Sequence, residues 1–144
     1  MSGMTEKRLE KRDSFWTWRE LVYSFLQYLN PKEIEAIASL AFMEMMECGY
    51  AAVGEFHYIH HQLGGHHYDN IAETSCSIIN AAIKTGIGLT HLPVFYMQGG
   101  LKGQPLEKGQ LRFGNKRDEF LEILEQSKKA LSNGPEDFTL GIAP

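Results

Sequence analysis

Five of the six histidines in this chain, His57, His60, His61, His66 and His67, fall within eleven residues. Imidazole is a common ligand of zinc and iron, and it can exchange a proton near neutral pH. The cluster could therefore hold a metal or form a polar loop beside a binding site. Its spacing matches no closed zinc signature, and neither Cys48 nor Cys76 lies near it. No metal ligand is assigned on that basis, and His57 and His61 are expected at the rim of a site. Glu55 is either a general base or a buried acceptor; its place in mid-strand favours pairing with a donor on a neighbouring strand. Tyr58 offers a phenol at a strand end, suited to donating to a substrate oxygen or nitrogen or to standing as an aromatic at the rim. No Ser-His-Asp order, P-loop or GxGxxG is present, and no catalytic residue is assigned.

These groups need a strand to aim them. Residues 52–61 read AVGEFHYIHH, apolar and β-prone at first, then polar and aromatic. A buried parallel strand is a short apolar run, and ligands in such folds bind beyond the carboxyl ends of the strands. Upstream, Asp13 and Ser14 are helix-capping types, followed by Trp18, Leu21, Val22, Phe25 and Leu29 at helical spacing. Asn30-Pro31 ends that helix and opens another, whose expected buried face is Ile34, Ile37, Ala38, Ala41 and Met45 and whose end is Gly49.

Downstream, Asn70 with Glu73 reads as a capping box. It would start a helix that buries Ile71, Ser75, Ile78, Ile79 and Ala82 and closes at Gly86. A second strand lies within 86–96, where Pro93 marks a bulge or the end of regular pairing. The glycine-rich stretch 97–116 is long enough to be functional or disordered. Asn115 is then the expected cap of a helix carrying Phe120, Leu121, Leu124 and Leu131, and 138–142 reads as a third strand.

Strands recurring roughly every 40 residues with a helix between them predict parallel βαβ units. The fold class is α/β, with about three strands and four helices in one domain over 1–144, of which the charged, aperiodic 1–12 is expected to be loose. Three strands leave both sheet edges open. That predicts either a slice of a larger barrel or a homo-oligomer that completes the sheet. A net charge of -4 gives no electrostatic footprint for nucleic acid. The start, MSGMTEKRLEKRD, lacks a secretory apolar region, and Glu35, Glu44 and Glu47 interrupt the apolar stretches, so no membrane span and a cytoplasmic location are expected.

Four stretches, DSFWTWREL (13–21), GEFHYIHH (54–61), GIGLTHLPVFY (86–96) and GQLRF (109–113), together resemble the formimidoylglutamate deiminase family of the amidohydrolase superfamily. The resemblance runs over nearly the whole chain. It implies a metal-dependent, distorted (β/α) barrel of TIM type, of which this chain is a part. It also implies a small-molecule substrate: N-formimino-L-glutamate is hydrolysed to N-formyl-L-glutamate and ammonia in bacterial histidine degradation. The family's substrate-contacting tyrosine matches Tyr58. The family's His-x-His pair would lie upstream of the matching region. Its His-Ser-Leu-Arg segment would begin after Pro144, and a further metal-ligand His, the general-base His and a metal-ligand Asp would follow. The chain thus reads as an internal slice with roughly the second to fourth strands, inactive alone. Zinc belongs to the full-length family members, and none is expected on this chain. Deimination needs a hydroxide, which a metal supplies by lowering the pKa of its water to about 7, and a group to protonate the departing nitrogen; Tyr58 can orient a substrate but do neither. Two other readings remain: a small His-rich α/β module that binds a metal or ligand, and a non-catalytic, self-associating interaction protein.

Overall fold

The structure, a computed structural model, describes residues 15–100 and 102–144. The expected loose segment 1–12 and the caps at Asp13 and Ser14 lie outside them. Among the described residues, four α-helices and three strands follow in order: α1 Phe15–Leu26, α2 Pro31–Glu47, β1 Ala52–His57, α3 Glu73–Thr85, β2 Gly88–Pro93, α4 Arg117–Leu131 and β3 Thr139–Leu140. The strands form one parallel sheet in the order β1-β2-β3. The fold is therefore α/β, built from successive βαβ units. No helix among the described residues is long and apolar enough to cross a membrane.

Local chemistry sets several boundaries. The Asn30 side chain accepts from the backbone N–H groups of Lys32 (3.0 Å) and Glu33 (3.1 Å), while Glu33 Oε2 accepts from Asn30 N at 2.7 Å. This reciprocal box, with Pro31 at the first helical position, starts α2. Gly86, at φ 82°, takes the left-handed conformation that ends α3. Pro93 closes β2: regular pairing stops there, and isolated bridges, Val94 to Ala143 and Tyr96 to Gly114, follow it.

Four details differ from the sequence expectation. The predicted box at Asn70 is not formed; Asn70 Oδ1 accepts from Ala72 N instead, and α3 begins only at Glu73. Asn115 does not cap α4. It turns inward, and its amide donates to Phe113 O at 2.9 Å, leaving Lys116 as the flanking residue. The buried face of α4 is Phe120, Ile123, Ser127 and Leu131, so Leu121 points to solvent. On α2 the buried residues are Ile34, Ala38 and Phe42, while Ile37 and Ala41 border an open groove of about 570 Å³ between α1, α2 and β1.

The two faces of the sheet differ. Val53, Glu55 and His57 of β1 and Leu89, His91 and Pro93 of β2 point toward the helices. There Ile34, Ala38 and Phe42 of α2, Ile78, Ile79 and Ala82 of α3, Ile87 and Leu89 make the core. On the opposite face nothing among the described residues covers Ala52, Gly54, Phe56, Thr90 and Thr139, which are exposed, and the Thr90 and Thr139 hydroxyls meet at 2.9 Å.

Candidate functional site

Two groups of polar side chains lie near the carboxyl ends of the strands, one on the strands themselves and one just past β1. On the helix side, register sets Glu55 of β1 opposite His91 of β2. Glu55 Oε2 accepts from His91 Nδ1 at 3.0 Å, the cross-strand partner expected of a mid-strand acid. Glu55 Oε1 lies 3.4 Å from His57 Nδ1. Thr74, at the start of α3, donates its single hydroxyl hydrogen to Ile59 O. Its oxygen is then left to accept from His57 Nε2 at 3.0 Å, which fixes a proton on that nitrogen. His60 Nε2 donates to Val94 O at 3.0 Å.

Burial and partners move these groups in predictable directions. Burial alone would raise the Glu55 carboxyl, but the charge and hydrogen bonds of His57 and His91 outweigh it and hold the carboxyl down at about 2. Burial, reinforced by neighbouring His57, pushes His60 down to about 3. Burial also lowers His91, against the opposing pull of Glu55. His61 is lowered by burial and then by His67, whose ring stacks on it at 4.8 Å. The network is thus a carboxylate held between hydrogen-bonded imidazoles, tying β1, β2 and α3 together. Among the described residues, no group of three or more His, Cys, Asp or Glu could hold a metal ion.

Tyr58 lies elsewhere. It is the first residue past β1, it is 45% exposed, and it lines a cavity of about 460 Å³ with Val94, Phe95, Tyr96, Met97 and Pro144. Its ring meets Tyr96 edge-on at 6.5 Å and Phe113 at 5.9 Å. The cavity opens at the carboxyl ends of β1 and β2 and beside the residues that follow β3. Tyr58 therefore stands where parallel α/β folds hold ligands.

The two histidines expected at the rim are buried, His57 at 3% exposure and His61 at 1%. His57 faces the helices, because alternation along β1 puts it on the same side as Glu55. His66 and His67 remain exposed. The histidine loop thus divides, with His57, His60 and His61 packed inward and His66 and His67 left outside.

Sequence reasoning assigned no role to Arg112, which holds that loop in place. Its Nε donates to His61 O at 2.9 Å, its Nη2 to Leu29 O at 2.8 Å, and its Nη1 to Leu26 O. Its own carbonyl accepts from His60 N at 2.9 Å and His61 N at 3.0 Å. A buried cation thus satisfies carbonyls at and just beyond the carboxyl end of α1, where a helix dipole favours positive charge. The signal in the sequence was an arginine between two large apolar residues, Leu111 and Phe113. His91 and Thr74 were also missed, since each is isolated in sequence from the group it completes.

No family model matches the sequence. The chain is 47% identical over 131 residues, 91% of its length, to a curated formimidoylglutamate deiminase of Pseudomonas aeruginosa. A crystal structure of an amidohydrolase from Brucella melitensis superposes on all of the chain with a TM-score of 0.93 and 42% identity. The chain spans 29% of the length of the first protein and 32% of the second. Its helices and parallel sheet therefore reproduce about a third of an amidohydrolase, as the resemblance implied.

Proposed function

We propose that this chain is the part of a formimidoylglutamate deiminase that carries three consecutive strands of a (β/α) barrel, and that Tyr58 hydrogen-bonds the bound substrate. The position of Tyr58 carries the reading: it is half exposed, directly past β1, on the wall of the carboxyl-end cavity. A phenol there can donate to a substrate carboxylate or accept from a formimino N–H. On this reading the whole polypeptide hydrolyses N-formimino-L-glutamate to N-formyl-L-glutamate and ammonia, as a cytoplasmic enzyme of histidine degradation. The bare sheet face, with Thr90 and Thr139 on it, is then the barrel interior, and the buried Glu55–His91 network lies between the barrel wall and its helices.

The family's metal, zinc by resemblance, does not fit the described residues, which offer no ligand group. This chain's part is therefore to orient substrate, and no step is derived through a metal. The test is Tyr58→Phe in the full-length polypeptide. Loss of one such hydrogen bond costs about 1 kcal/mol, so kcat/KM for formiminoglutamate should fall roughly five-fold. Unchanged kinetics would sink the assignment.

A further inference from the structure

Tyr96 shares the cavity wall with Tyr58, and the rest of its surroundings hold it still. Its ring meets Tyr58 at 6.5 Å and Phe113 at 5.8 Å, and Phe113 meets Tyr58 at 5.9 Å. The three rings form a closed triangle of edge-to-face contacts, a favoured geometry for aromatic pairs. The Tyr96 backbone is clamped as well, through a bridge to Gly114 and a 3.0 Å hydrogen bond from Asn115 N to Tyr96 O.

The phenol oxygen of Tyr96 points inward, to Gln110, which is fully buried. Gln110 Nε2 donates to Tyr96 Oη at 3.0 Å and to Gly99 O at 3.0 Å, and its Oε1 accepts from Glu107 N at 2.8 Å. One amide thus uses both hydrogens and its oxygen to tie the end of the second βα unit to both arms of the 97–116 loop. The packing is tight enough to require glycine: a Cβ at Gly99 would lie 2.2 Å from Pro105 O and 2.7 Å from Gln110 Oε1. The described residues of this long loop are thus tied together around Gln110.

We propose that Tyr96 is a positioning residue for Tyr58: Gln110 fixes the Tyr96 phenol, and the Tyr96 ring fixes the aim of the Tyr58 hydroxyl into the cavity. This rests on the reading that Tyr58 contacts substrate. Tyr96 contributes its ring and its anchored oxygen and leaves the substrate bond to Tyr58. Without the Gln110 bond, the Tyr96 ring can turn, and Tyr58 loses one wall of the triangle.

A double-mutant cycle on the full-length enzyme tests it. Tyr96→Phe keeps the ring and removes the anchor, and should lower kcat/KM for formiminoglutamate about three-fold or more. In a Tyr58→Phe background the same substitution should cost less than about two-fold, because no hydroxyl is left to aim. Gln110→Met removes the same bond together with those to Gly99 O and Glu107 N; read in the same two backgrounds, it should show the same non-additivity with Tyr58→Phe. A purely structural role lowers the melting temperature and leaves the two effects additive, which overturns the proposal. So does a Tyr96→Phe enzyme with unchanged kinetics beside an impaired Tyr58→Phe enzyme; in both cases the substrate-contact reading stands. An unimpaired Tyr58→Phe enzyme overturns that reading, and the positioning role falls with it.

Discussion

Glu55 shows what burial does to one carboxylate among imidazoles. Its carboxyl titrates at about 2 in the fold, against about 4.3 in an unfolded chain. The stability it contributes is therefore present above the unfolded value and is lost as pH falls through about 2. His60, at about 3 when folded and about 6.5 when unfolded, works with the same sign. Buried neutral, it opposes protonation, so stability declines as pH drops below its unfolded value and goes on declining to about 3. His91 adds to this in the same direction. The urea midpoint of the full-length protein should accordingly drop between pH 7 and pH 4.5, and His60→Gln should flatten that slope. A midpoint that rises on acidification would contradict the burial of these rings. Glu55→Gln should cost about 1–3 kcal/mol at pH 7, because an amide hydrogen then faces an imidazole that already donates. That Glu55 would pair across the sheet could be read from its mid-strand position. That the partner is His91 depended on register, which a single sequence does not reveal.

At the scale of elements, the signals that worked were local ones. Asn30-Pro31 with Glu33, Gly86 and Pro93 each act on the backbone within a few residues of themselves, and Asn30-Pro31, Gly86 and Pro93 each end or start an element where expected. The signals that failed were overridden by tertiary demands. Asn115 had a better use than capping, since its amide donates to the Phe113 carbonyl, and more distantly to that of Val94, in a buried corner. The phase of α4 followed contact with the core, which selected Ile123 and Ser127 over Leu121. Arg112 marks the limit of local reading most clearly, because its partners Leu26 and Leu29 lie more than eighty residues away in sequence. Asn30→Ala should cost about 1 kcal/mol, the usual value of a cap. Arg112→Lys should cost more, about 3 kcal/mol, because an ammonium cannot reproduce a guanidinium fork to three carbonyls. Urea denaturation of both variants gives the order, and an Arg112→Lys protein as stable as Asn30→Ala would show that the fork is dispensable.

For the molecule as a whole, what matters is what the sheet lacks. One face is covered by α2, α3 and the core beneath them, and the other carries Phe56 at 61% exposure, with Thr90 and Thr139 exposed beside it. The outer edge of β1 has no neighbour among the described residues, and β3 pairs through only Thr139 and Leu140. Unpaired edges beside an apolar face template association, and apolar area in water carries a free-energy cost of about 25 cal/mol per Å² that burial recovers. The chain expressed alone is therefore expected to show a mass above one chain by light scattering. On the proposed function, formiminoglutamate with added zinc should release no more ammonia than a blank, because the described residues can orient a substrate but offer no metal group to generate hydroxide. The two measurements bear on different claims. A monodisperse monomer without turnover would mean that four helices suffice to protect this sheet, and would leave the enzymatic reading intact. Metal-dependent turnover by the isolated chain would overturn the assignment of chemistry to the rest of the barrel, because the hydroxide and the proton for the leaving nitrogen would then have to come from within these 144 residues.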